Sequence, residues 1–405
     1  MYIKRHMEKV IDRALKQYKV VLLTGPRQIG KTSLLKHNYL NDFDYLTFDD
    51  INYLRNATED PILFMKQHKN KTIFDEVQYV PSLFSSIKLE VDKEEIYGRY
   101  LMTGSQAFHL MKNVSESLAG RIAIRELQGL SLREKYNIDF TEPFLVTETY
   151  LNTRKKYLVK YDNIWNHIHR GSFPRLMDKN VNWDEYLSDY VKTYINRDVR
   201  EIINVGDELT FSKFMIAIAA RSGELLNYTK IANEVEVSVN TVKRWISALV
   251  TSGIVYLLEP YSTNILTRNV KTPKLYFLDT GLLSYLTKWT TPQTLQHGAV
   301  AGHVFETFVV SEIIKTYKNA GYTNLPFYFY RDKEKNEIDL IIEKDNTLYP
   351  VEIKMSANPT KHMAKAFSKL EQFKDKKVGL GVIICQYENM IYLKDNLISI
   401  PLEYI

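Results

Sequence analysis

The chain has 405 residues, 45% hydrophobic and 25% charged, with 28 Tyr, 18 Phe, a formal net charge of +6 and a pI near 8.9. That length exceeds one compact core and predicts about two to four domains, while so many aromatic residues exclude long disordered stretches. A single cysteine, Cys385, excludes an intrachain disulfide and a cysteine-based zinc cluster. No run approaches the ~20 apolar residues of a membrane-spanning helix, and the first residues lack the apolar stretch of a signal peptide. A cytoplasmic protein without a membrane partner is expected. The mild positive charge permits a nucleic-acid partner without requiring one.

Met7, Val10, Ile11, Ala14 and Leu15 recur at helical spacing. Val20–Leu23 is a continuous apolar run, the pattern of a strand buried on both faces of a parallel sheet. Tyr45–Phe48, Lys71–Phe74 and Tyr100–Thr103 read as further strands, with helical segments between them. Such alternation predicts an α/β domain with a parallel sheet over residues 1–130. Residues 131–205 are mostly helical, with Tyr186, Tyr190, Val191 and Tyr194 at helix spacing, and read as a lid or linker. Residues 206–285 carry helices at Phe214–Ala220, Tyr228–Val235 and Val239–Val250, then strands at Ile254–Leu258 and Lys274–Leu278. A tight turn at Glu236–Ser238 between the last two helices gives the order of a winged helix-turn-helix. Residues 286–405 form a second α/β domain. Its helix Val304–Tyr317 precedes strands Pro326–Arg331, Glu337–Glu343 and Leu348–Lys354, a helix around 362–374, and strands Val378–Cys385 and Met390–Leu393.

Gly25, Pro26, Arg27, Gln28, Ile29, Gly30, Lys31 and Thr32 match G-x-x-x-x-G-K-[ST] between a strand and a helix that continues with Ser33. Glycines let such a loop curl so that successive N–H groups face phosphate oxygens, and the helix N-terminus favours the same anion. Lys31 is expected on the β/γ-phosphates and Thr32 on Mg²⁺. The strand Thr72–Phe74 ends in Asp75 and Glu76. Asp75 would hold Mg²⁺ through its water shell, and Glu76 would orient and deprotonate the attacking water. Thr103 and Ser105 end the fourth strand, where ligands sit in such sheets; they fix the lytic water or begin a capped helix. ATP and Mg²⁺ are therefore the expected cofactors.

In the helix-turn-helix, Ile231, Ala232 and Val235 face one way, and Val242, Trp245, Ile246 and Leu249 form the apolar side of the second helix. That helix would expose Asn240, Thr241, Lys243, Arg244 and Ser247, with Arg268 and Lys271 in the wing loop. These donors suit phosphates and base edges; the alternative is a packing module that never meets DNA.

Gly25–Thr32, Thr72–Glu76, Leu101–Ser105 and Leu118–Arg121 together resemble the AAA+-related prokaryotic ATPases, in which the chain continues into a C-terminal region of unassigned function. The likeness covers nearly the whole chain and includes Tyr190–Asp198 and Tyr276–Gly281. It implies that Arg121 is an arginine finger or sensor, or else a surface arginine; a finger acting in trans requires a homo-oligomer. Further on, Glu306 on a helix, Asp339 on a strand and Glu352-Ile353-Lys354 on the next resemble the PD-(D/E)XK nuclease superfamily, although Ile338 stands where its proline would be. That likeness implies Mg²⁺ held by Glu306, Asp339 and Glu352, with Lys354 positioning the nucleophile. The combined expectation is a Mg²⁺-dependent ATPase acting on or gated by DNA, with a nuclease-like C-terminal domain. The rival is a nucleotide-switched regulator or remodeller whose C-terminal domain only binds.

Overall fold

The computed structural model describes residues 2–104, 117–194, 208–262 and 272–405; Ser105, Asp198, Arg268 and Lys271 lie outside the described residues. Five parallel strands form the first sheet: β1 (Val20–Thr24), β2 (Asp44–Thr47), β3 (Thr72–Asp75), β4 (Tyr100–Thr103) and β5 (Ile122–Glu126), in the order β2-β3-β4-β1-β5. β1 lies inside the sheet, between β4 and β5, and both of its faces are apolar. Val21 and Leu23 join one core cluster, with Met7, Ile11 and Leu34, whereas Val20 and Leu22 join another, with Phe74, Phe84 and Ile87. Helices therefore cover both sides, as the alternation implied. β5 is a strand beyond the four expected. It is an edge strand whose Ile-Ala-Ile-Arg-Glu pattern is only half buried, which weakens its sequence signal.

The parallel register aligns the carboxyl ends of the strands, pairing Leu23 with Thr103 and Thr47 with Asp75. That edge carries the loop Gly25–Gly30, Asp75 and Thr103. The amino ends lie about 15 Å away, at ~3.3 Å per residue.

Residues 131–194 carry short helices at Leu132–Lys135, Glu148–Lys155, Ile164–Arg170 and Trp183–Tyr190, joined by irregular stretches. After helix Glu208–Ala219 comes a helix-turn-helix, Tyr228–Glu234 and Val239–Thr251. Asn227 and Ser238 cap its two helices, and Glu236 takes a left-handed φ of 58° in the turn. The hairpin β6 (Val255–Pro260) and β7 (Lys274–Phe277) follows it. This hairpin does not stand alone. Glu259 and Pro260 of β6 pair with Tyr328 and Phe329 of β8 (Phe327–Arg331). The sheet continues through β9 (Glu337–Lys344), β10 (Thr347–Ile353), β12 (Gly381–Ile384), β14 (Leu397–Ile400) and β13 (Ile391–Lys394), while β11 (Lys377–Val378) pairs with β10. The strands placed on either side of residue 285 thus share one sheet of nine strands. The helix expected around 362–374 is a set of 3-10 turns over Lys361–Gln372 with a non-helical Ala364.

Helix Ala301–Asn319 ties the two sheets together. Its Glu312 accepts from Leu132 N at 2.8 Å, its Thr316 hydroxyl accepts from Phe144 N at 3.0 Å, and its Lys318 pairs with Glu126 of β5 at 2.6 Å. Among the described residues, no helix is long and apolar enough to cross a membrane.

Candidate functional site

The loop after β1 is shaped by its glycines. Gly25 has φ 134°, and a Cβ there would lie 2.2 Å from the Leu127 carbonyl oxygen. Gly30 has φ 90° and ends the loop where helix Lys31–Tyr39 begins, with no side chain capping that helix. Its first N–H groups can therefore meet an anion. Gln28 also takes a positive φ, 60°, and Arg27 places its guanidinium 5.8 Å from the Tyr194 ring centre. The Lys31 ammonium is buried, donating to the carbonyls of Gly25 at 2.9 Å and Pro26 at 2.8 Å. Burial pushes its pKa down to about 8, partly offset by Glu76. A triphosphate beside it would favour its charged form.

Asp75 is the hub of the carboxyl edge and is buried. It accepts from the Thr32 hydroxyl at 3.0 Å, from the Tyr45 hydroxyl at 2.6 Å and from the Thr103 hydroxyl. All three of these donors are neutral. A buried carboxylate beside a threonine hydroxyl at a phosphate loop fits Mg²⁺, which takes one or two protein oxygens together with phosphate oxygens and water. Glu76 follows in the left-handed region, φ 58° and ψ 45°, an unusual conformation for this residue type. Its N–H donates to the Thr103 hydroxyl at 3.4 Å, and its carboxylate accepts from the Gln78 amide. The expected set Lys31, Thr32, Asp75, Glu76 and Thr103 is thus brought together.

Arg5 and a flanking pocket were not foreseen. Arg5 donates to Ile29 O at 2.8 Å, to Gln128 O at 2.6 Å and to Glu134 at 3.0 Å, clamping the phosphate loop to the chain after β5. No sequence pattern marks it, because its partners lie up to 129 residues away. Beside the loop, Tyr2, Arg5, Gly30, Ser33, His37 and Pro174 help to line a cavity of about 460 Å³. The Tyr2 ring stacks on His37 with centroids 3.9 Å apart.

Arg121 does not join this site. Its backbone carbonyl accepts from Val20 N at 3.2 Å, so it stands at the amino edge of the sheet, opposite the phosphate loop. Its guanidinium is held on Asp92. The arginine finger or sensor implied by likeness cannot reach a nucleotide on its own chain from there.

The C-terminal group does assemble. Asp339 accepts from Ile353 N at 2.8 Å and from Lys354 Nζ at 3.4 Å. Lys354 also pairs with Glu352 at 2.6 Å. Glu306 reaches in from helix Ala301–Asn319. It accepts from Lys274 Nζ at 3.0 Å and from the Tyr276 hydroxyl at 2.6 Å. Lys274 further pairs with Glu337 at 2.5 Å. Burial, then the Asp339 charge, pushes the Glu352 carboxyl up to about 8, and the same causes raise Glu306. Lys274, Tyr276 and Glu337 were not foreseen as members. Among the described residues, no group of three or more His, Cys, Asp or Glu side chains is arranged to hold a metal ion. The donor set expected for Mg²⁺ here is interleaved with two ammonium groups.

The chain matches three family models: an AAA domain over residues 17–136, and domains of unknown function over residues 161–293 (DUF8612) and 301–405 (DUF4143). Uncharacterised proteins of Mycobacterium tuberculosis and Mycobacterium bovis are each 28% identical over 401 residues, covering 98% of this chain and 82% of theirs. Among solved structures, a Walker-type ATPase of Pyrococcus abyssi is similar at a TM-score of 0.41 and 14% identity, covering 70% of this chain and 96% of its own. The AMPPCP-bound DnaA of Aquifex aeolicus is similar at 0.28 and 14%, covering 69% and 91%.

Proposed function

We propose that this chain, which carries an AAA-type P-loop ATPase domain over residues 17–136, hydrolyses ATP with Mg²⁺ and uses that cycle to control DNA binding by its helix-turn-helix. The observation that carries the ATPase half is the convergence of Thr32 and Thr103 on the buried Asp75 at the mouth of the loop. Thr32 and, through water, Asp75 would hold Mg²⁺, which would supply positive charge to the reacting phosphates. Lys31 would turn from the Gly25 and Pro26 carbonyls to the β/γ-phosphates. Glu76 would take a proton from water as that water's oxygen bonds to the γ-phosphorus and the bridging β–γ bond breaks, leaving ADP and phosphate. Thr103, in contact with both Asp75 and the Glu76 backbone, positions the pair. The aromatic-lined cavity at Tyr2, Ser33 and His37 suits the base and sugar.

The DNA half rests on chemistry and exposure. Asn240, Lys243, Arg244 and Ser247 are exposed along one side of helix Val239–Thr251, while Val242, Trp245, Ile246 and Leu249 are buried on the other. Such a donor-rich exposed face fits a phosphate backbone. Gly253, just after this helix, lies against Pro26 of the phosphate loop: a Cβ on it would be 3.1 Å from the proline ring. That contact gives the two halves a direct mechanical link. We assign the C-terminal domain to binding rather than cleavage. Arg121, far from its own loop, could serve only a neighbouring copy's nucleotide in a homo-oligomer. The test is ATP turnover with and without duplex DNA over a salt series. DNA stimulation that fades steeply with salt is expected, and turnover indifferent to DNA at every salt concentration would remove the DNA half.

A further inference from the structure

The carboxylate centre of the C-terminal domain contains a cation that belongs to the protein. Lys274 projects from β7, and its side chain is 3% exposed. Its ammonium is held by Glu306 at 3.0 Å and by Glu337 at 2.5 Å. On the other side of the cluster, Lys354 holds Glu352 at 2.6 Å and Asp339 at 3.4 Å. Each of the three carboxylates that could ligate a metal therefore already gives an oxygen to an ammonium. A dication sharing those oxygens would meet Lys274 at close range inside a buried pocket, where like charges repel strongly. Among the described residues, Glu352 Oε2 is buried without a hydrogen-bond partner, so the pocket keeps one acceptor that a cation could use once Lys274 is gone.

We propose that Lys274 is the resident cation of this centre, so that the native C-terminal domain binds no divalent metal there and carries no metal-dependent phosphodiester cleavage. The lysine comes from the hairpin of the helix-turn-helix module, and the carboxylates come from β9, β10 and helix Ala301–Asn319. The ion pairs thus fasten the DNA-facing module to the C-terminal sheet. This inference rests on the C-terminal part of the proposed function and not on its ATPase part; ATP turnover measured on the same samples tells the two failures apart.

The experiment is a Mn²⁺ titration of the full chain without nucleotide, read by the loss of the free-ion electron paramagnetic resonance signal. It compares the native chain, Asp339→Asn, Lys274→Met, and the double variant. The native chain and Asp339→Asn should bind equal numbers of Mn²⁺. Lys274→Met should gain one ion per chain, and the double variant should lose it again. A native chain that binds an ion absent from Asp339→Asn overturns the proposal, as does a folded Lys274→Met that gains none. If Lys274→Met fails to fold, the native and Asp339→Asn pair still decides: equal counts support the proposal and unequal counts overturn it. Plasmid cleavage in Mn²⁺ by the native chain, abolished in Asp339→Asn, overturns it as well.

Discussion

On the proposed function, Lys31 holds the phosphates and Glu76 activates the water, and substitutions separate those roles. Lys31→Ala removes a buried ammonium from the loop. Charged hydrogen bonds contribute roughly 1.5–3 kcal/mol each, so nucleotide affinity should fall by about 10- to 100-fold in a fluorescent-ATP titration. Unchanged affinity would remove Lys31 from the phosphates. Glu76→Gln keeps the shape and removes the proposed base, so ATP should bind as before while turnover drops by roughly 10²- to 10⁴-fold. Glu352 gives a prediction in pH. Its carboxyl is raised to about 8 by burial and by Asp339, whereas the unfolded chain ionises near 4.3. The folded state thus holds the extra proton between those values, and stability falls as pH climbs through that window. Glu352→Gln should raise the melting temperature above the native value at pH 8, with the difference closing by pH 4. A difference independent of pH would show that its charge does not matter.

At the scale of elements, the phosphate loop is supported from outside itself. Arg5 and Glu134 form an ion pair that is almost fully enclosed. Burial alone would raise the Glu134 pKa, but Arg5 and His6, with N–H donors from Ser131 and His6, hold it below the usual carboxylate value. A lowered carboxylate contributes stability above its unfolded pKa and loses it as pH falls through the folded one. Breaking a buried pair from one side costs about 3–5 kcal/mol. Arg5→Ala should therefore both destabilise the domain and loosen Ile29, weakening ATP binding; a chain that melts and binds like the native one would contradict that support.

Which elements the sequence revealed follows from where their information lies. The loop Gly25–Thr32 and the pair Asp75-Glu76 were legible because strand, turn and helix are contiguous, and each needs particular residue types. Thr103 was legible as a strand end, since parallel register brings carboxyl ends together. β5 was missed because Arg125 and Glu126 interrupt its apolar pattern. Arg5 and Lys274 were invisible because their partners are brought to them only by the fold: Glu134 stands 129 residues from Arg5, and Glu306 32 from Lys274.

For the molecule as a whole, one question is how the sheet that carries the phosphate loop speaks to the helix-turn-helix module proposed to bind DNA. Gly253 against Pro26 joins them directly, while Lys318 of helix Ala301–Asn319 ties the C-terminal domain to Glu126 beside the loop. Gly253 has φ 69°, so a side chain there strains the backbone as well as pressing on the loop. Gly253→Val should cut DNA stimulation of ATP turnover by more than it cuts the basal rate. Equal loss of both would reduce the contact to simple packing. Helix Ala301–Asn319 also supplies Glu306 to the carboxylate centre and bonds the helix-turn-helix module through Thr307 and Ser311, so it touches all three parts of the chain.

The central claim, that the loop and Asp75 grip a triphosphate for Glu76 to hydrolyse, is tested most directly by phosphate release from ATP in Mg²⁺ by the purified full chain. Native protein should release phosphate steadily, while Glu76→Gln should bind ATP and release almost none. Native protein that releases no more phosphate than Lys31→Ala, or a Glu76→Gln chain that turns over at the native rate, would contradict it.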